Sequence, residues 1–294
     1  MYTFCMARTA RAQKAGKSPA QRRSALHGAA PAREAPGQDP LFNDSAQKAL
    51  AVLEAFGQGR RVLKLAEAAE IAGITKGSAQ RCVHTLEVLG YLRRDARSTG
   101  WVLTPRALGI AHAYLSGYRL VEQAQQHLVD LNRATGESVS LSEPDGTDMV
   151  FVARFPSHKR FLIHMPIGKR LPMYCTASGR AYLSALPAAE ALQVLRQSRL
   201  RALTPMTVTD LRQIQELIAT AHADGYAGSD QECYRGDVTV AAPVISDGGH
   251  PIGAINISAP TSRWTLEEMR AKFAALVIET ARAVSSGAVP QAHG

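Results

Sequence analysis

Residues 65–90 read LAEAAEIAGITKGSAQRCVHTLEVLG, and the placing of small and apolar residues in this stretch decides the first part of the fold. Gly73 divides it. Before the glycine, Leu65 to Ala72 predict a short helix with alanines inside. After it, Thr75 offers a capping hydroxyl to a helix running to about Leu89 and closed by Gly90. Two short helices joined by a glycine turn, with alanine at the crossing point, form a helix-turn-helix pattern. At about 100° per residue from Ala79, the residues Ala79, Val83 and Leu86 cluster within about 40° as a core stripe. Gly77, Gln80, Arg81 and His84 fall on the opposite face, between roughly 100° and 200°. A guanidinium, an amide and an imidazole are groups that read base edges in a major groove, and Gly77 permits close approach. Lys76 and Ser78 in the first turn suit phosphates, aided by the helix dipole.

Working outward, Ser45 can cap a preceding helix with Ala49, Val52, Leu53 and Phe56 on one face and Gly57 at its end. Downstream, Tyr91 to Leu103 predict two short strands around a basic turn, a wing whose rim carries Arg93, Arg94 and Arg97. The charge follows the same division. Of the net +9, residues 1–40 hold seven basic against two acidic groups, residues 41–105 nine against six, and residues 106–294 eighteen against seventeen. A polyanion partner therefore belongs to the first third of the chain. Residues 1–40, rich in Ala, Arg, Gly, Ser and Pro, cannot bury enough apolar surface to order themselves and predict a disordered basic tail.

Thr104-Pro105 predicts a helix start with proline at the first helical position, and Leu108, Ala111 and Leu115 space the linker helix that follows. A second helix carries Val121, Ala124, Leu128 and Leu131 and ends at Gly136. Beyond it the period changes to two: strands over 138–143 and 149–155 around Pro144-Asp145-Gly146, a strand over 160–165, and strands over 238–245 and 252–258. Helices are expected over 178–186, 188–197, 210–223 and 266–285. The class is α+β: a winged helix-turn-helix over 41–105, a linker helix over 106–118, a domain over 119–288 built on a curved antiparallel sheet, and a disordered tail over 289–294.

Several function classes drop out. No run approaches 18 apolar residues, which excludes a membrane-spanning helix, and the four cysteines stand far apart without a CxxC pair, as expected in a reducing cytoplasm. GxSxG, HExxH, P-loop and GxGxxG motifs are absent, and the nine histidines lack metal-ligand spacing, so no cofactor or metal is expected. Two rivals to a DNA-binding regulator stay open: an enzyme using the thiol of Cys175 or Cys233 with the winged helix as a tether, and an assembly protein without a ligand.

Residues 45–105, with Leu65, Ala69, Gly73-Ile74, Lys76, Ser78-Ala79, Arg81, Leu86-Glu87 and Leu89-Gly90-Tyr91, resemble the winged helix of IclR-type bacterial transcription regulators. The rest of the chain carries further family marks in order: PIGKRLP at 166–172, TASGRA at 176–181, Gly225-Tyr226, AAPV at 241–244 and AINIS at 254–258. The resemblance covers about 41–288. It implies a GAF-like effector domain, a dimer through the DNA-binding and linker helices, and often a tetramer. Operator DNA and a small organic acid are then the partners, with RNA polymerase as a further one. Residues 166–175 are similar to members that control aromatic-acid degradation. One departure stands out: Gly236-Asp237-Val238 occupies a place where members often have Gly-Leu-Arg, which alters a pocket wall.

The effector is expected at the start of the helix after Thr176. Unpaired first-turn amides form an anion site needing no lysine, and small Ala177 and Ser178 let a carboxylate approach. The resemblance adds Ser229, Asp237, Thr239, Asn256 and Ser258 as lining positions; Asn256 and Ser258, two apart on one strand, share a face. Ile163, Met165 and Tyr174 are expected to supply an apolar wall for a ring.

Overall fold

The computed structural model describes residues 41–57, 59–117, 119–159 and 165–285, in two compact units that divide after Thr104. The expected tails over 1–40 and 289–294 lie outside the described residues.

In the first unit, Asn43 rather than Ser45 caps α1 (Asp44–Ala55): its Oδ1 accepts from the amides of Ser45 and Ala46, each at 3.0 Å. The earlier start puts Asp44 in the first turn, where the helix dipole favours an anion. Helix α2 (Leu65–Ile71) begins with Glu67 accepting from the Lys64 amide, and α3 (Lys76–Val88) with Thr75 accepting from the Ser78 amide. Ala79, Val83 and Leu86 are the buried residues of α3, as the angular reading requires. Strands β1 (Leu92–Arg94) and β2 (Trp101–Leu103) pair antiparallel as the wing. A bridge from Leu63 to Trp101, with hydrogen bonds of 3.1 and 2.9 Å, extends this sheet beyond what the pattern shows. Gly100 makes the bridge possible, because a Cβ there would lie 2.6 Å from Val62 Cγ1 and 2.9 Å from the Leu63 carbonyl oxygen.

In the second unit, α4 (Ala107–Gly117) starts two residues later than expected. The Thr104 hydroxyl donates to the Gly90 carbonyl instead of capping, and the Pro105 carbonyl accepts from Leu108 in a turn. Helix α5 (Arg119–Thr135) follows and buries Ala124, Leu128 and Leu131; Val121 is only half-buried. The hairpin β3 (Ser138–Asp145) and β4 (Asp148–Phe155) turns at Gly146. Next come β5 (Arg170–Pro172), a 3-10 turn (Met173–Cys175), α6 (Ala177–Ser184), α7 (Ala188–Gln197) and α8 (Leu211–Asp224). Then β6 (Ala227–Asp230), β7 (Asp237–Ile245), β8 (Pro251–Pro260) and α9 (Leu266–Ser285) complete the unit. The six strands form one antiparallel sheet in the order β5-β4-β3-β8-β7-β6. The edge strands β5 and β6 escaped the sequence reading because three or four residues of mixed or small polar type carry no alternation. Of the strand expected over 160–165, residues 160–164 lie outside the described residues and Met165 is not in a strand.

The sheet has two buried faces. On one, Val139, Leu141, Val240, Ile255 and Ile257 pack with Leu128 of α5 and Met269, Phe273 and Val277 of α9. On the other, Ala241 and Ala254 meet Ala177 and Ala181 of α6, backed by Leu195 and Ile214. Every residue of α6 is buried, which demands close contact on all sides. Gly179 provides it: a Cβ there would stand 2.2 Å from Met173 Cα and 2.3 Å from the Met173 carbonyl oxygen. Arg180, fully buried beside it, pairs bidentately with Glu232 at 2.5 and 2.6 Å and donates through Nε to the Tyr174 carbonyl at 3.0 Å.

Because backbone meets backbone at Gly179, no rotamer change relieves an added methyl. Gly179→Ala is expected to cost about 3 kcal/mol or more, the upper end of overpacking effects, with the loss confined to the second unit. Urea unfolding followed by circular dichroism measures it; an unchanged midpoint would contradict this packing.

Candidate functional site

On α3 the side chains of Lys76, Gln80, Arg81 and His84 are exposed beside Gly77, opposite the buried stripe. Ser78 is half-buried, its Oγ accepting from Thr75 Oγ1 at 3.0 Å. The wing treats its arginines unequally. Arg93 and Arg97 are exposed. Arg94, exposed as well, lies over the Trp101 ring at 3.8 Å and within 3.7 Å of Glu87, whose other oxygen accepts from Trp101 Nε1 at 3.2 Å. Arg94 thus braces the wing against α3, a role the sequence did not distinguish from its neighbours'.

In the second unit, a small cavity of about 40 Å³ opens between the start of α6 and the sheet. Met165, Ala177, Ser178, Ser229, Asp237, Thr239, Asn256 and Ser258 all line it, and the geometry brings these expected residues together. Tyr174 does not. Its hydroxyl donates to the Arg201 carbonyl at 2.6 Å, which turns the ring into the core behind α6. Ile163 lies outside the described residues.

The cavity also holds residues the sequence reading passed over: Phe151, Arg154, Leu171, Cys233 and Tyr234, with Thr176 at its edge. Arg154 adds a cationic side chain to the cavity that holds the expected anion site at the start of α6. Strict alternation would put Phe151 and Arg154 on opposite faces of β4. The register runs Leu141 to Ala153 and then Ser142 to Phe151, so Val152 is an extra, bulged residue. The bulge returns Phe151 to the face of Arg154, an effect invisible to a period-two reading.

Cross-strand rows order the polar groups. Arg154, Ser140, Asn256 and Ala241 form one row across β4, β3, β8 and β7; Ser258, Thr239 and Ser229 form the next across β8, β7 and β6. Arg154 Nη1 donates to Ser140 Oγ at 3.1 Å, and among the described residues it makes no ion pair. Burial lowers its pKa, partly offset by the field of Asp237. Asp237 accepts from Ser258 at 2.6 Å and from Thr239 at 3.0 Å. The Ser229 hydroxyl donates to the Cys175 carbonyl, and Thr176 Oγ1 accepts from the Gly179 amide, which leaves the amides of Ala177 and Ser178 at the open helix end. The Cys233 thiol is pushed up by its hydrogen bond with Cys175, by burial and by nearby negative groups. Burial and the same neighbours push Tyr234 up to about 12. A thiol held protonated is a poor nucleophile, which removes the basis for thiol catalysis at Cys233.

Residues 45–96 match the IclR helix-turn-helix domain, and residues 112–286 match the family described as bacterial transcriptional regulator IclR C-terminal. The chain belongs to the IclR family. It is 31% identical over 245 residues to the Pca regulon regulatory protein of Pseudomonas putida, spanning 83% of this chain and 84% of that one. It is 34% identical over 221 residues to the p-hydroxybenzoate hydroxylase transcriptional activator of Acinetobacter baylyi, spanning 74% and 81%. Among solved structures, a transcriptional regulator from Rhodococcus sp. RHA1 aligns at 34% identity with a TM-score of 0.69, covering 83% of this chain and 98% of that one. Like other IclR-type proteins, the chain is a DNA-binding transcriptional regulator and not an enzyme. Among the described residues, no helix is long and apolar enough to cross a membrane.

Burial dominates Asp237 and raises its pKa, against the lowering influence of Ser258, Thr239 and Arg154. A carboxyl with a raised folded pKa holds its proton more tightly in the folded chain. Its favourable contribution is present below the unfolded value and is lost as pH rises through the folded one. Asp237→Asn should therefore gain stability relative to the unsubstituted chain as pH climbs from about 4 toward neutrality. Urea midpoints across that range test the sign, and a variant midpoint that falls relative to the unsubstituted chain's with rising pH would refute it.

Proposed function

We propose that this IclR-type regulator controls genes of aromatic-acid catabolism, its operator binding or activity set by a small aromatic carboxylate held in the cavity of the second unit. The observation that carries the reading is Arg154: a half-buried guanidinium with no ion pair among the described residues, lining a cavity that also contains the open end of α6. Asp237 offsets the burial of this cation only in part, and an anionic guest would complete the compensation. Phe151, Met165 and Leu171 supply the apolar wall for a ring. The control of Pca and p-hydroxybenzoate genes by similar proteins supports the aromatic class.

On DNA, Gln80, Arg81 and His84 read the major groove, Lys76 and Ser78 meet phosphates, and Arg93 and Arg97 hold the wing on the backbone. Helix α4 exposes the apolar side chains of Leu108 and Ile110, 68% and 59% accessible, which a second copy would help to cover in the dimer such operators require. A chromosomal target places the protein in the cytoplasm.

Two measurements test this. Titration calorimetry with aromatic acids should show Arg154→Met and Ser178→Glu each weakening binding at least about tenfold, since a charge-assisted hydrogen bond or its space is lost. Operator affinity without the acid should stay unchanged; normal acid binding by both variants would remove this site. In gel shifts, Arg81→Ala should cost about 1–3 kcal/mol at one base pair, whereas Arg93→Ala should weaken all DNA alike. Equal loss on operator and scrambled DNA for Arg81→Ala would rule out base reading by that residue.

A further inference from the structure

We propose that the second unit carries a further binding site, separate from the cavity at the start of α6, for an uncharged ring compound that offers one hydrogen-bond donor. The site is a cleft bounded by the end of α6, by α7 and by α8.

The cleft has a volume of about 460 Å³, against about 40 Å³ at the start of α6. It falls within the roughly 300–1,000 Å³ typical of small-molecule sites. Buried Leu183, Leu195 and Ile218 form its floor, and Leu186, Ala191 and Leu192 continue the apolar wall. No lysine, arginine, aspartate or glutamate lines it, although α7 and α8 carry Glu190, Arg196, Arg212, Glu216 and Asp224. A charged guest would lose hydration there without meeting a counter-ion, so the wall selects a neutral one. Water in such a cleft finds few partners, and a hydrocarbon ring that displaces it gains by burying its own surface and the wall's. Twelve residues line the cleft, whereas a stable protein interface uses roughly 20–30 a side. That extent suits a small molecule rather than a second copy of the chain.

One side chain sets the polarity of the guest. His222 lines the cleft, and its Nδ1 stands 2.7 Å from the Ser184 carbonyl oxygen at the end of α6. A carbonyl oxygen accepts only, so Nδ1 carries the hydrogen and the neutral ring keeps a lone pair on Nε2. Among the described residues Nε2 makes no hydrogen bond. The Ser184 hydroxyl donates to the Ala181 carbonyl at 2.8 Å, which leaves Nε2 to receive an O–H or N–H of the guest. Gln215, the remaining polar side chain of the wall, is exposed to water. Helix α6 connects the two sites: Ala177 and Ser178 in its first turn line the small cavity, and Leu183 and Ser184 in its last turn line the cleft.

Titration calorimetry on the full chain at about pH 8, above the titration range of free histidine, tests the assignment with 2-naphthol and its methyl ether, 2-methoxynaphthalene. One molecule of 2-naphthol is expected to bind per chain, about fivefold more tightly than the ether, the worth of one neutral hydrogen bond. Ala219→Trp should fill the cleft and weaken 2-naphthol at least about tenfold. His222→Phe, which keeps a ring and removes the acceptor, should bring the two compounds within about twofold of each other, with the ether bound as before. Both positions are exposed on α8, so neither variant removes core packing. Arg154→Met, in the small cavity, should leave 2-naphthol binding within about twofold. Failure of 2-naphthol to bind, binding that Ala219→Trp leaves intact, or binding that Arg154→Met abolishes overturns the site. A preference that survives in His222→Phe overturns the donor requirement. A mass by light scattering that falls in Ala219→Trp shows a second copy covering the cleft, and it overturns the small-molecule reading too.

Discussion

The cavity exists because α6 lies against the sheet at backbone distance, and two adjoining residues hold it there. Gly179 lets the first turn touch the Met173 backbone, and Arg180 reaches from the same turn to Glu232. A buried ion pair adds little net stability over apolar residues of equal volume, since desolvation offsets most of the attraction. Its geometry is the greater effect. Glu232 also accepts from the Val208 amide, and its carbonyl accepts from Thr207, so one carboxylate fixes α6, the loop after β6 and the segment before α8 to one another. Breaking the pair from one side would leave an uncompensated charge, worth about 3–5 kcal/mol. The start of α6, whose Ala177 and Ser178 line the cavity, is thereby held in one place.

The sheet performs two tasks through its two faces. Val139, Leu141, Ile255 and Ile257 make an apolar layer under α5 and α9, while the alternate residues Ser138, Ser140, Ser142, Asn256 and Ser258 turn to the side of α6. A run of buried serines with one buried asparagine is unusual for a core layer, where apolar side chains would pack at no polar cost. Stability alone would not select them. The Ser140 and Ser258 hydroxyls order Arg154 and Asp237, and Ser258 and Asn256 line the cavity.

The first unit was legible almost residue by residue, because helix periodicity, glycine stops and a capping threonine all act within a few positions of one another. Ala79, Val83 and Leu86 are buried and Gln80, Arg81 and His84 exposed for that reason. The failures there came from contacts across the chain: the bridge of Leu63 to Trp101, and Arg94 stacked on Trp101. In the second unit the ordered family motifs marked most of the cavity wall, and local capping marked Thr176. Arg154 was missed because its face depends on a bulge whose existence is set by the partner strand, and Arg180 because burial of a guanidinium follows from a Glu232 fifty-two residues away. Tyr174 was misplaced because a 3-10 turn directs its ring into the core behind α6, where its hydroxyl meets the Arg201 carbonyl. Short-range signals were readable, and pairings between distant segments were not.

The departure at Asp237 acquires a physical meaning beside Arg154. A carboxylate in a cavity for acids would repel its guest if it stayed fully charged and free. Here burial raises its pKa, and two hydroxyls and the field of Arg154 hold it in a fixed orientation. Under the proposed function, an acid seated at Arg154 would bring a like charge near Asp237, whose burial already favours its protonated form.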